Sequence, residues 1–573
     1  MNSSYKSLTI LVVVVLFSGD EAVWGAVPVP IAGATVPWIS YKAEQGVTTG
    51  EKLTSRTYGE IANEALNHTC VKLAVTGQHV TWKVRSPANA MVIRASVPDA
   101  PQGGGASHTL TVAVNGKARQ KVTLSSLHSW LYGKDPNGND NAPSTGTPHA
   151  YFDETREFLT GPPLKTGDTI TLYKQAADTA PWYVIDLLDL ELVAPPLQKP
   201  DGSLSATDYG AVPDDGKDDA AAFAACMDKA RTEGKAMWVP AGTFHQTQPM
   251  ELDRVKVRGA GLWHTHLVGL GELKPNYFSG NVGFKLSGSD VEVSGFSVDG
   301  SLTARSINAI QHGISGSANR FRVEDIWVRH TTTGAWIGLC SYGVVRRCRF
   351  RDTYADGLNI NNHADNVLVE ENHSRGNGDD GLAVFAGTEK GGIAGTCRNI
   401  TLKRNTLEGQ RWGNGLGIYG GETILVEGNL VISANRCAGI MVSTGFNSWP
   451  MNGASIVGNI FIDCGGNAFN QHYSTIHIYA PGKDILGLTV KGNTIRDATF
   501  SAITVDGSDI GGLLDATLAE NSIESPGGDA ILLRESVRGK LTLKSNKITG
   551  QRGKAKLVNQ TKPKLLSLDS DLR

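Results

Sequence analysis

The chain has 573 residues, 67 of them glycine and 23 proline, with 54 Lys+Arg against 56 Asp+Glu and a formal net charge of −2. That balance provides no field for wrapping nucleic acid or lying on an anionic membrane. A 40% apolar fraction excludes disorder, and glycine without a G-X-Y period excludes collagen, leaving a glycine-rich chain with many tight turns.

The chain opens with Lys6, the apolar run 8–17 and small residues at Gly25 and Ala26. A basic start, an apolar middle too short to span a bilayer and a small-residue end predict a secretory leader over 1–25 and an exported, soluble protein. The seven cysteines (70, 226, 340, 348, 397, 437 and 464) show no C-x-x-C spacing. They are expected as buried small hydrophobes rather than as a zinc site or a disulfide framework.

From 27 to 196 short alternating segments such as 71–77, 80–86, 91–98, 110–116, 169–174 and 182–193 are separated by Gly-, Asn- and Pro-rich loops. This pattern predicts a β-sandwich. A linker is expected over 195–203. One helix follows within 208–230, capped near Asp218 or Asp219, with Phe223, Cys226 and Met227 on one side.

From about Lys256 the sequence repeats. Segments such as VEVSGFSV, VLVEENHS and LTVKGNTI align on a column at 295, 325, 348, 372, 405, 429, 459, 493, 521 and 546, at intervals of 23 to 34 residues. Asn fills that column from Asn372 onward. Units of two or three short strands with this period predict a parallel β-helix over 205–555, followed by a polar tail over 556–573. Asn suits the column in two ways: it tolerates left-handed turns and it can stack in hydrogen-bonded ladders. Blades of a β-propeller are longer than most of these intervals.

Eight residues past the column stand Thr333, Asp356 and Asp380, each followed by Gly, and Asp379 adjoins Asp380. Asp356 and Asp380 therefore occupy equivalent positions on consecutive rungs, with backbones about 5 Å apart. Like charges at that range raise one carboxyl's pKa, so that one acid stays protonated beside ionised neighbours. Cleavage of a glycosidic bond needs that combination. In the same register Trp412 lies one rung beyond Asp379. Trp336, Tyr354, Phe385, Tyr419 and Trp449 are further candidates for the walls of a sugar-binding groove.

These motifs carry a resemblance. Residues 208–244 resemble the opening segment of the pectate-lyase-like superfamily of right-handed parallel β-helices. The trio Asp356, Asp379 and Asp380 looks like the catalytic aspartates of glycoside hydrolase family 87, whose members include α-1,3-glucanases (mutanases) and mycodextranases. The 27–196 region, with YKAEQG (41–46) and WYVIDLLDLEL (182–192), is similar to carbohydrate-binding modules of families 6 and 35. The fold implied is all-β, a right-handed parallel β-helix preceded by a β-sandwich.

The function implied is a secreted, monomeric, endo-acting hydrolase of α-1,3-glucosidic bonds that inverts the anomeric centre. No cofactor is required; separately, Glu44 and Asp189 are candidates for holding a structural calcium. By analogy with polygalacturonases, Asp379 would be the acid, with Asp356 and Asp380 holding the water. The following rungs, 411–421 and 436–445, lack the Gly-His-Gly and Arg-Ile-Lys segments of that family, which favours a neutral glucan. The alternatives are a polygalacturonase-like enzyme, a pectate-lyase-like enzyme with Arg375 or Arg411 as base, and a non-catalytic glycan-binding β-helix.

Overall fold

A computed structural model describes residues 32–133, 147–271, 273, 280–305, 310–387 and 395–572. The leader over 1–25 lies outside the described residues. The first region is a sandwich of two antiparallel sheets. One runs Asp153–Phe158, Ala90–Ser96, Tyr183–Glu191, Thr69–Leu73 and Glu51–Thr54, with Trp38–Lys42 also paired to Tyr183–Glu191. The other runs Val47–Thr48, His79–Lys83, Thr169–Tyr173, Ser107–Val114 and Lys117–Ser125. Val71, Ile93, Leu110, Leu172 and Leu188 fill the space between them. Strands 90–96 and 183–191 are buried at every residue, on both faces. A sheet facing water on one side would alternate, so this sheet has a second partner.

That partner is a parallel β-helix. Each coil contributes three strands, for example Ser341–Arg346, Arg349–Arg351 and Leu358–Asn361, and each strand pairs in parallel with its counterpart one coil later. Inward residues such as Val345, Phe350, Leu358 and Ile360 join one continuous core. The helix Ala220–Glu233 closes the N-terminal end, packing Phe223, Cys226, Met227 and Ala230 into that core. Asp218 accepts the Ala220 N–H at 3.1 Å, and left-handed Gly234 ends the helix. The stretch 556–573, expected as a polar tail, instead supplies further strands: Leu557–Asn559 and Leu566–Ser570 pair with Ile531–Leu533 and Gly539–Lys544. All seven cysteines are buried and unbridged.

The Asn column is a continuous amide ladder. Asn372 donates from both its backbone N and Nδ2 to Asn405 Oδ1 at 3.0 Å, and the same pair of bonds repeats through Asn429, Asn459, Asn493, Asn521 and Asn546. The left-handed backbone expected of these asparagines sits one place earlier, at Glu371, Arg404, Gly428, Gly458, Gly492, Glu520 and Ser545, and likewise at Arg347 before Cys348. The preceding residue turns the chain, and the Asn amide is thereby aimed along the axis. Asp325, with φ +52°, belongs to this turning column. Trp327 pairs with Arg349, so Ile326, not Asp325, stands level with Cys348.

Candidate active site

The third face of the coil presents Asp356 and Asp380 at its leading edge. Leu358 pairs with Leu382 and Leu382 with Leu416, which stacks Asp356, Asp380 and Asn414 in one row. Their carboxyl environments differ. Asp380, 3% exposed, accepts from Asn414 N at 2.7 Å, Asn414 Nδ2 at 2.8 Å and the Tyr419 hydroxyl at 2.7 Å. Asp356, 8% exposed, accepts from Asn359 Nδ2 at 2.6 Å and from the Asp380 backbone N at 3.2 Å. The Asp379 side chain is 30% exposed and pairs with Arg305 Nη1 at 2.6 Å.

Electrostatics sharpen the difference. Burial, then the charges of Asp379 and Asp380, drive the Asp356 carboxyl well above the usual carboxylate range. Burial and then Asp379 push Asp380 up to about 7, against the downward pull of Tyr419 and Asn414. Burial disfavours the Arg305 guanidinium, but Asp379, Asp356 and Asp380 outweigh it and hold its pKa above the ordinary arginine value. Two glycines keep the row open. A Cβ at Gly417 would collide with Asp380 Oδ2, and one at Gly413 would press on Asp379.

The aromatic candidates divide. Tyr419 hydrogen-bonds Asp380, and the Phe385 ring meets it edge-on at 5.9 Å. Trp336 stacks on His312 at 6.0 Å, and Trp449 is exposed, its indole N–H donating to the Gly387 carbonyl. Trp412 flanks the cleft, but Gly413 is the residue lying over Asp379. The chain between Asn405 and Leu416 is one residue longer than its counterpart, which shifts the register after the ladder.

Tyr354 does not wall the groove. It is buried toward the sandwich, shares a hydrogen bond with His128 Nδ1 at 3.0 Å and lies under the Arg411 guanidinium. Arg375 is likewise buried, paired with Glu154 at 2.6 Å, Asp189 at 2.5 Å and Glu408 at 3.3 Å. Arg411 is buried against Asp352. Neither proposed lyase base reaches the cleft. Asp189 also departs from its expected part in a calcium site with Glu44, because Arg375 and Ser40 occupy both its oxygens.

Two family models match the chain: α-1,3-glucanase catalytic domain D1 over residues 35–193 and catalytic domain D2 over 218–510. The chain belongs to this family, GH87. It is a glycoside hydrolase. Among solved structures, the Agl-KA catalytic domain is 25% identical with a TM-score of 0.85, the match covering 95% of this chain and 99% of that one. The catalytic unit of a thermostable GH87 α-1,3-glucanase from Streptomyces thermodiastaticus strain HF3-3 is 27% identical with a TM-score of 0.81, covering 94% and 96%. A GH87 α-1,3-glucanase catalytic domain in complex with nigerose, 23% identical with a TM-score of 0.81 over 94% and 100%, shares the fold. No curated protein matches.

In this GH87 chain the sequence pattern missed three groups that shape the site. Asn359 and Asn414 could have been found: they lie three residues past Asp356 and one rung past Asp380. Arg305 had no such signal, because it comes from an irregular connection 74 residues before Asp379. The sandwich adds Tyr58, whose ring lies 3.7 Å from the Arg436 guanidinium, with the Trp412 ring 4.5 Å from the same group.

Proposed function

We propose that this chain hydrolyses α-1,3-glucosidic bonds of a neutral α-glucan, acting as an exported, monomeric endo-hydrolase with inversion. The observation that carries this is the row of Asp356, Asp379 and Asp380 on an open face, each with a different set of hydrogen-bond and ion-pair partners. Asp356 is held well above the usual carboxylate range by burial and by Asp379 and Asp380, and among the described residues has no cation within ion-pair distance, which suits the carboxyl that keeps its proton. It would donate that proton to the glycosidic oxygen as the C–O bond breaks. Asp380 accepts three hydrogen bonds and Asp379 pairs with Arg305, which places both to serve as the carboxylates of the reaction. They would hold a water and take its proton as the water oxygen bonds to the anomeric carbon. This reverses the polygalacturonase analogy, in which Asp379 is the acid. A protonated Asp379 would give up its ion pair with Arg305.

Both proton transfers fall to carboxyl groups, so the reading asks for no cofactor. The related structures with nigerose and tetrasaccharides support an oligosaccharide substrate. Export rests on the apolar run 8–17. The test is incubation with α-1,3-, alternating α-1,3/α-1,4- and α-1,6-glucans and with polygalacturonate, following the first-formed anomer by NMR. Release of β-anomeric oligosaccharides from α-1,3-glucan is expected; α-anomeric products would exclude inversion, and cleavage of polygalacturonate alone would exclude the substrate. The acid assignment has its own test. Asp356→Asn retains turnover of an α-glucosyl fluoride, whose leaving group needs no protonation, whereas Asp379→Asn loses it; the opposite result makes Asp379 the acid.

A further inference from the structure

Two separate loops repeat one unusual device on the third face. In the loop after strand Ile440–Ser443, Phe446 and Asn447 both have left-handed backbones (φ +55° and +60°) inside a turn closed by Ser448 N donating to the Gly445 carbonyl. In the hairpin before strand Ile476–Ala480, Phe469 and Asn470 do the same (φ +50° and +59°) between Ala468 and Gln471, which pair. Tight turns with two left-handed residues favour Asn or Gly at the first position, and a bulky side chain is disfavoured there. Both phenylalanines are also turned outward, 68% and 66% exposed. Neither strain nor exposure is repaid by core packing, which points to a function at the tips.

Their placement says which. Phe446 meets Tyr419 edge-on at 5.4 Å and 83°, and Tyr419 is the hydroxyl donor to Asp380. Phe469 meets Trp412 edge-on at 5.6 Å and 88°, next to the Gly413 that lies on Asp379. One loop follows its strand and the other precedes its strand, so the tips stand at opposite edges of the face that carries Gly417. Both loops are anchored. Trp449 N donates to the Ala386 carbonyl at 2.7 Å, and Ala468 packs with Cys437, Met441 and Tyr473.

We propose that Phe446 and Phe469 are the two lips of the cleft, gripping pyranose rings of the glucan chain from opposite edges of the open face. Phenyl faces suit the apolar C–H faces of a hexose and bring no charge, which fits a neutral sugar. The inference rests on the function proposed above and adds the residues that hold its substrate.

The test uses the full chain with Phe446→Gly, Phe469→Gly and the double variant, assayed on α-1,3-glucan oligosaccharides. Each single change raises KM about tenfold, the size expected for losing one apolar stacking surface, while kcat stays within about twofold. Tm stays level or rises, because glycine relaxes the left-handed backbone. Thus stability and substrate affinity move independently, which a structural role does not produce. An unchanged KM in the double variant, or a KM rise accompanied by a fall in Tm, overturns the lips. Wild-type protein assayed alongside separates the two levels: failure to cleave α-1,3-glucan overturns the substrate assignment and the lips with it, whereas wild-type cleavage with an indifferent double variant overturns the lips alone.

Discussion

Two adjoining faces of the same coil treat buried carboxylates in opposite ways. The second face is roofed by the sandwich, and the seam is built from ion pairs: Glu154 with Arg351 and Arg375, Glu191 with Arg349, Asp299 with Arg156 and Arg329. The third face is open and has the aspartate row, where Arg305 reaches only Asp379. Burial pushes Glu154 up, but its two guanidinium partners win and hold it down to about 2. Asp299, also with two, is likewise held below the usual range. Asp186 and Asp352, each with one arginine (Arg94 and Arg411), are not rescued: burial prevails, and Asp352 stands at about 7. Asp380 and Asp356, with no direct cationic partner, are raised. Among Glu154, Asp299, Asp186 and Asp352, one guanidinium does not offset the desolvation of the carboxylate and two do. In the aspartate row Asp356 and Asp380 have no such partner at all among the described residues.

The contrast is broken most directly by neutralising each kind of carboxylate. Asp356→Asn, Asp379→Asn and Asp380→Asn are each expected to lower kcat by about 10²–10⁴-fold, with Tm level or raised for Asp380→Asn because repulsion from Asp379 is relieved. Steady-state kinetics beside calorimetry checks both halves. Glu154→Gln is the mirror image. It leaves buried Arg351 and Arg375 with Asp189 as their shared carboxylate and is expected to cost about 3–5 kcal/mol of stability in denaturant unfolding, with activity per folded molecule retained.

The pH dependence of stability then separates the faces by sign. Between the unfolded carboxylate pKa near 4 and about 7, folded Asp380 binds more proton than the unfolded chain, so its contribution falls as pH rises. Glu154, held to about 2, contributes stability above the unfolded value that is lost as pH falls toward 2. Asp380→Asn should flatten the decline between pH 4 and 7 and leave the acid loss in place. The smallest expected effect is that of Tyr419→Phe. Losing a donor worth about 1 kcal/mol moves the acidic limb of the kcat–pH profile upward by under about one pH unit, because ionised Asp380 becomes harder to form.

What the sequence made legible was whatever repeats. The Asn column and the Asp356–Asp380 stack recur at coil intervals, and a periodic pattern carries both fold and in-register chemistry. Legibility faded where an interval changed by one residue: Gly413 replaced Trp412 over Asp379, and Asp325 shifted into the turning column. It was lost where contacts cross from one region to another. Tyr354 turned toward His128, and Asp189 was taken by Arg375, 186 positions away. Such pairs leave no periodic trace, because nothing in either segment alone specifies the partner. Arg305 belongs to the same class.

The amide ladder has a consequence for how such a molecule can change. From Asn372 to Asn521 each asparagine donates to the next amide oxygen toward the C-terminus, so the amide-to-amide column is a one-dimensional lattice with a polar axis and a step of one coil. Removing a whole coil between Asn429 and Asn493 leaves equivalent donors and acceptors facing each other, and the lattice can close. Removing half a coil cannot, because every amide beyond the cut then faces the wrong neighbour. Length along this solenoid is therefore quantised, and a longer or shorter cleft is reached by whole steps that leave the aspartate row where it stands.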